Sequence, residues 1–99
     1  MKLNKSAKTM MLGIVRDPRL KILKPIRVGI TPEKGEVLLW SRKLLTYGVG
    51  ASLGDACEDF ARGIAEEYWM LKKWAHVDRL GSGLIEQFRR YQEHIGERI

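Results

Sequence analysis

Gly48-Val49-Gly50-Ala51-Ser52-Leu53-Gly54 is the stretch closest to a chemical motif. Glycines between a strand and a helix can cradle a phosphate on their backbone N–H groups. The dinucleotide fingerprint, however, requires glycine or alanine where Leu53 stands, and the third glycine arrives one residue late. No strand follows the helix to complete a βαβ unit, and no Lys-Ser or Lys-Thr pair follows for a P-loop. The glycines fit a tight strand-to-helix corner instead, with Ser52 as a helix cap rather than a nucleophile. His76 and His94 are the only histidines, and their separation fits no common metal pattern. His76-Val77-Asp78 supplies two ligands without a third, and Cys57 falls on an apolar stripe. Among the acids Asp55, Glu58, Asp59, Glu66 and Glu67, only Glu67 lies on the apolar side of its helix. Glu67 and His76 are therefore the acid–base candidates of an enzyme reading. A lone carboxylate is a weak basis for catalysis. The expectation is a non-enzyme with no catalytic residue, metal or cofactor.

The next candidate chemistry is charge. The 99 residues carry a formal charge of +6. Residues 1–27 hold eight bases against the single acid Asp17, a local charge of +7, so the remainder is close to neutral. Residues 1–19 read as a basic arm on one α+β domain spanning 20–99. Lys2, Lys5, Lys8, Arg16, Arg19 and Lys21 are the nucleic-acid contacts of an alternative reading, an accessory protein acting through that arm. Residues 1–27 contain no aromatic on which a base could stack, so such binding would be phosphate-driven and salt-dependent. Met10 and Met11 are alternative starts that would remove Lys2, Lys5 and Lys8. One cysteine excludes an internal disulfide framework. The longest uncharged stretch, 44–54, is too short to cross a bilayer. The apolar run 10–15 after Lys2, Lys5 and Lys8 is too short for a signal peptide. A cytoplasmic protein with no membrane contact is expected.

The elements that position these residues follow from periodicity. Ile26, Val28 and Ile30 alternate with Arg27 and Gly29, which predicts a strand over 25–31. Thr31-Pro32-Glu33-Lys34-Gly35 is turn chemistry. Strands over 36–41 and 44–49 complete an antiparallel three-stranded meander, and residues 9–15 are a candidate fourth strand. Ser52-Leu53-Gly54-Asp55 reads as a capping box opening a helix over 53–74. Its apolar stripe holds Leu53, Ala56, Cys57, Phe60, Ala61, Ile64, Tyr68, Leu71 and Trp74, which should lie on the sheet. Trp69 falls opposite, among Glu58, Arg62, Glu66 and Lys73. After a connector over 75–83, apolar residues at helical spacing predict a short helix over 84–95. That helix is too short to be stable alone and must dock. Trp69, Arg62, Phe88 and Tyr91 are the expected contacts with a partner or with a second copy.

The order of these features resembles a known family. Lys24-Pro25-Ile26-Arg27-Val28 leads into a hairpin. Tyr47-Gly48-Val49-Gly50-Ala51-Ser52 then opens into Leu53-Gly54-Asp55-Ala56-Cys57-Glu58-Asp59-Phe60, and Ile64-Ala65-Glu66-Glu67-Tyr68 continues the match. The passage resembles the HicB-like antitoxins, and the likeness runs over about residues 24–95. The resemblance implies a β-β-β-α unit of partial RNase-H-like shape without nuclease residues. It also implies self-association and the neutralisation of a small RNA-cleaving toxin. The usual C-terminal DNA-binding segment is missing from the pattern, since residues 84–99 are too few for one. On the alternative reading, a chain starting at Met11 binds RNA and DNA more weakly than the full chain, and added salt weakens the full chain. Equal affinities in a titration of both chains remove the arm as the site.

Overall fold

A computed structural model describes residues 8–75 and 81–99 of the chain. Four antiparallel strands form the main sheet: β1 (Lys8–Leu12), β3 (Ile26–Glu33), β4 (Glu36–Ser41) and β5 (Thr46–Gly50), in the order β1-β3-β4-β5. The fourth strand is the N-terminal segment, which pairs Met10 with Val28 and Leu12 with Ile26. A second, two-stranded sheet pairs β2 (Leu20–Ile22) with β6 (Ile95–Glu97), and neither strand has a periodic signature. Helix α1 (Leu53–Ala75) and helix α2 (Ser82–His94) complete the fold, which is α+β.

Three boundaries differ from expectation for local reasons. The turn over 31–35 shrinks to Lys34-Gly35, because β3 continues through Pro32 to a last pair between Glu33 and Glu36. Gly35 takes the positive φ of 68° that this turn demands. Among the described residues β1 pairing ends at Ile30, so no described partner on that side needs the N–H that Pro32 lacks. The strand expected over 44–49 begins only at Thr46. The Leu44 N–H donates to Ser41 Oγ at 3.0 Å, and Leu45 sits at φ 53°, so the chain turns before it extends. Leu44 is nevertheless fully buried, while Leu45 points to solvent. Finally, α2 starts two residues earlier than expected and stops at His94, because Ile95 turns extended to enter β6.

The start of α1 is as its cap predicts: Ser52 Oγ accepts the Asp55 N–H at 3.1 Å. The helix lies across β5 and β4. It buries Ala56, Phe60, Ile64, Tyr68 and Leu71 against the inner face of the sheet, where Ile26, Val28 and Leu39 point. Each fully buried large side chain contributes about 1.5–3 kcal/mol. Leu53 and Trp74, expected on the buried stripe, are exposed because they lie at the two ends of the helix. Helix α2 packs on α1, with the rings of Tyr68 and Phe88 5.5 Å apart and Tyr91 fully buried. Among the described residues no helix is long and apolar enough to cross a membrane.

Helix and strand meet backbone to backbone at Gly48. A Cβ built there would stand 2.5 Å from the Phe60 backbone nitrogen. Gly48→Ala is therefore expected to destabilise the fold by about 1–3 kcal/mol, the cost of overpacking a tight core. Gly63, inside α1 with nothing within 4 Å of its missing Cβ, makes the matched control. Gly63→Ala should stabilise by up to about 1 kcal/mol through helix propensity. Urea midpoints of the two variants should move in opposite directions.

Candidate interaction surface

With α1 on the inner face, the outer face of the main sheet is left, among the described residues, to β1, β3, β4 and β5 alone. Residues directly opposed across antiparallel strands share a face, so the outer face reads as rows. One end row holds Met11 and Arg27, with exposed Arg42 just past the end of β4. The next row is Thr9, Gly29, Trp40 and Tyr47. The third is Thr31, Leu38 and Val49. The far end row is Glu33 and Glu36, beside the Lys34-Gly35 turn. Two apolar rows thus lie between a basic end and an acidic end.

The aromatic row is held rigidly. The Trp40 ring lies over Gly29, where any side chain would collide with it. Its Nε1–H donates to Thr31 Oγ1 at 2.9 Å. Tyr47 stands beside it and is 66% exposed, Leu45 is 70% exposed, and Leu38 and Val49 are half-buried. Along the edge of the sheet, by contrast, β5 is not open: the Val49 N–H donates to Asp59 Oδ2 of α1 at 2.9 Å. That bond blunts the strand against pairing with another chain.

A second cluster surrounds Trp69. Its Nε1–H donates to Asp17 Oδ2 at 2.9 Å, the Arg19 guanidinium stacks 4.5 Å from the ring centroid, and the Tyr68 ring meets it edge-on at 5.2 Å. Arg19 also holds Asp17 through both carboxylate oxygens. These bonds, the Arg19 pair first, hold the Asp17 carboxyl well below the usual carboxylate range. On the same side Arg16 clasps Glu58 with two nitrogens, which lowers the Glu58 pKa, and Lys72 and Tyr68 both donate to Glu97, which lowers that one. The bonds join the N-terminal segment, α1 and β6 in one network.

Residues singled out by sequence reasoning scatter over this framework. Trp69 is half-buried against Asp17 and Arg19. Arg62 is exposed and paired with Asp59 at 2.9 Å. Phe88 is half-buried against Tyr68, and Tyr91 lies wholly in the core, where burial and the Glu67 charge push its hydroxyl pKa up. Of the arm, Lys8 belongs to β1, and Lys21 is exposed on β2. Arg16 and Arg19 are each engaged by a carboxylate. Lys2, Lys5 and His76 lie outside the described residues. Starting the chain at Met11 would also cut Lys8 to Met10 from β1.

The glycine loop positions a helix. The spaces beside Gly48 and Gly50 are filled by the backbone of α1 at Phe60 and Ala56. Burial raises the Cys57 thiol pKa, which keeps it protonated at neutral pH. No group of three potential metal-ligating residues occurs among the described residues. The outer-face rows had one sequence signal: Val37-Leu38-Leu39-Trp40 is apolar without alternation, so both faces of β4 are apolar. Compared with protein-family models, curated proteins and solved structures, the chain matches none.

The carboxylates of the network are depressed in the folded state, so their contribution to stability is complete above the unfolded pKa near 4 and is lost as pH falls below it. Urea midpoints should hold steady from neutral pH to about 5 and fall between about 4 and 2. Asp17→Asn should lower the neutral midpoint and flatten the acid fall. A variant with the wild-type acid slope would show that Asp17 does not couple the network to pH.

Proposed function

We propose that this chain works by binding protein rather than by catalysis. It associates with itself and holds a small partner protein, in the manner that its resemblance to HicB-like antitoxins implies. The observation that carries the reading is the outer sheet face, on which Trp40, Tyr47, Leu38 and Val49 form two apolar rows that no element among the described residues covers. A small antiparallel sheet with one solvated face ordinarily alternates apolar and polar residues. Flat apolar surface with anchored aromatics is the composition of a binding patch, in which Trp and Tyr supply large contact area at little cost in side-chain entropy. The face is also well fixed, since Trp40 is tied to Thr31 and laid over Gly29. A binding surface ordered in advance loses little freedom on association.

Tyr47→Glu places a charge at an exposed strand position and removes one cross-strand aromatic pair, so its effect on stability should stay within about 1 kcal/mol. Tagged wild type recovered from its native host should retain a discrete small protein at a fixed ratio. The variant should lose self-association, and with it any protein whose retention requires that face, with an unchanged circular dichroism spectrum. The retained protein, once separated, should cleave RNA and be silenced when the chain is added back. A wild type that holds neither another protein nor a second copy of itself overturns the proposal.

A further inference from the structure

We infer that the occupant of the outer sheet face is a second copy of this chain, packed face to face about a two-fold axis that runs across the strands. The inference rests on reading this face as a protein-binding surface, and it adds the partner and the orientation.

The charge pattern of the face points to this occupant. Arg27 and Arg42 mark one end of the face, and Glu33 and Glu36 mark the other. All four are exposed, and no ion pair among the described residues engages any of them. Glu33 and Glu36 moreover stand directly opposite each other across the hairpin. Like charges in that position weaken a strand pair, and Lys34 at the tip is the only cation beside them in sequence. The monomer therefore carries an unfavourable pair that an external cation would relieve.

Two-fold symmetry supplies that cation from the same sequence. An axis lying between the two sheets and across their strands reverses the order of the rows. It sets the Arg27 end of each copy over the Glu33 and Glu36 end of the other. It also sets Trp40 and Tyr47 of each copy over Leu38 and Val49 of the other. An axis along the strands would instead set arginine on arginine and glutamate on glutamate, which like-charge repulsion rejects. Aligned sheets pack in this way with interdigitated side chains about 10 Å apart. Pairing along the β5 edge is one competing geometry, and the bond from the Val49 N–H to Asp59 stands against it.

The test uses two charge-reversed full-length chains, Arg27→Glu/Arg42→Glu and Glu33→Arg/Glu36→Arg, in light scattering and sedimentation across a concentration series. Wild type should dimerise. Each variant alone sets like charges at both ends of the contact and should associate about tenfold or more weakly. An equimolar mixture meets opposite charge at both ends and should restore wild-type association as a one-to-one heterodimer. Added salt should weaken the wild-type dimer. Circular dichroism of each variant checks that the fold is kept. A monomeric wild type, or a dimer indifferent to both variants, overturns the inference. In the monomeric case the Tyr47→Glu pull-down decides separately: a heterologous protein lost from that variant leaves the protein-binding reading standing, and none retained removes it as well.

Discussion

The close approach of α1 to β5 governs the rest of the molecule. Gly48 and Gly50 have no Cβ, and the helix backbone at Phe60 and Ala56 occupies the space that side chains would take. This contact draws the helix low over the edge of the sheet. Phe60 and Ile64 then reach the core beside Leu39 and Val28, and Asp59 comes within bonding distance of the Val49 N–H. One helix thus covers the inner face and blunts the edge. Among the described residues the same economy leaves the outer face with no cover, because α2 packs on α1 and β6 rather than on the far side of the sheet.

The second constraint is closure of residues 19–23 on residues 94–98. The Leu23 N–H donates to the His94 carbonyl at 2.7 Å, the Arg98 N–H to the Arg19 carbonyl at 2.8 Å, and Arg98 Nε–H to the Leu20 carbonyl at 3.1 Å. Contacts of such long sequence separation carry loop-closure entropy, which the burial of Leu20, Ile95 and Tyr91 must offset. Trp69 sits where this closure meets α1. Its bond to Asp17 and its stack with Arg19 explain why a tryptophan occurs on the charged side of that helix. The basic N-terminal segment is in this respect a structural element: Arg16 and Arg19 bind carboxylates of the fold itself.

What was legible in the sequence is what local periodicity encodes. The alternation at Ile26, Val28 and Ile30 marks β3, the 3.6-residue stripe marks α1, and Ser52 marks its start within a residue. The ribbon of β2 and β6 was not legible, since three-residue strands carry no period and their pairing is decided across 70 intervening residues or more. The partner of Trp69 was hidden for the same reason, as Asp17 lies 52 positions away. Leu44 and Leu45 show the limit of pattern at a turn: both read as strand, yet a bond to Ser41 and a left-handed residue send one into the core and the other to solvent. The outer face was legible only as an anomaly. An unbroken apolar run in an antiparallel strand calls for contacts on both sides, and a single helix satisfies one.

Two explanations compete for that anomaly. Cross-strand pairs such as Trp40 with Tyr47 stabilise a sheet by roughly 0.2–1 kcal/mol each, so the aromatics have a use inside the monomer. Thr31 and Thr9 show that polar β-formers are also accepted on this face, so the large apolar groups exceed what pairing needs. The charges decide more sharply. Glu33 opposite Glu36 works against the hairpin it closes, while Arg27 and Arg42 stand two rows beyond the reach of either. Locally consistent sequences avoid such conflicts unless another requirement opposes them. A surface that is apolar at its centre, basic at one end and acidic at the other is complementary to its own reversed copy, and the proposed dimer would resolve the conflict at Glu33 and Glu36.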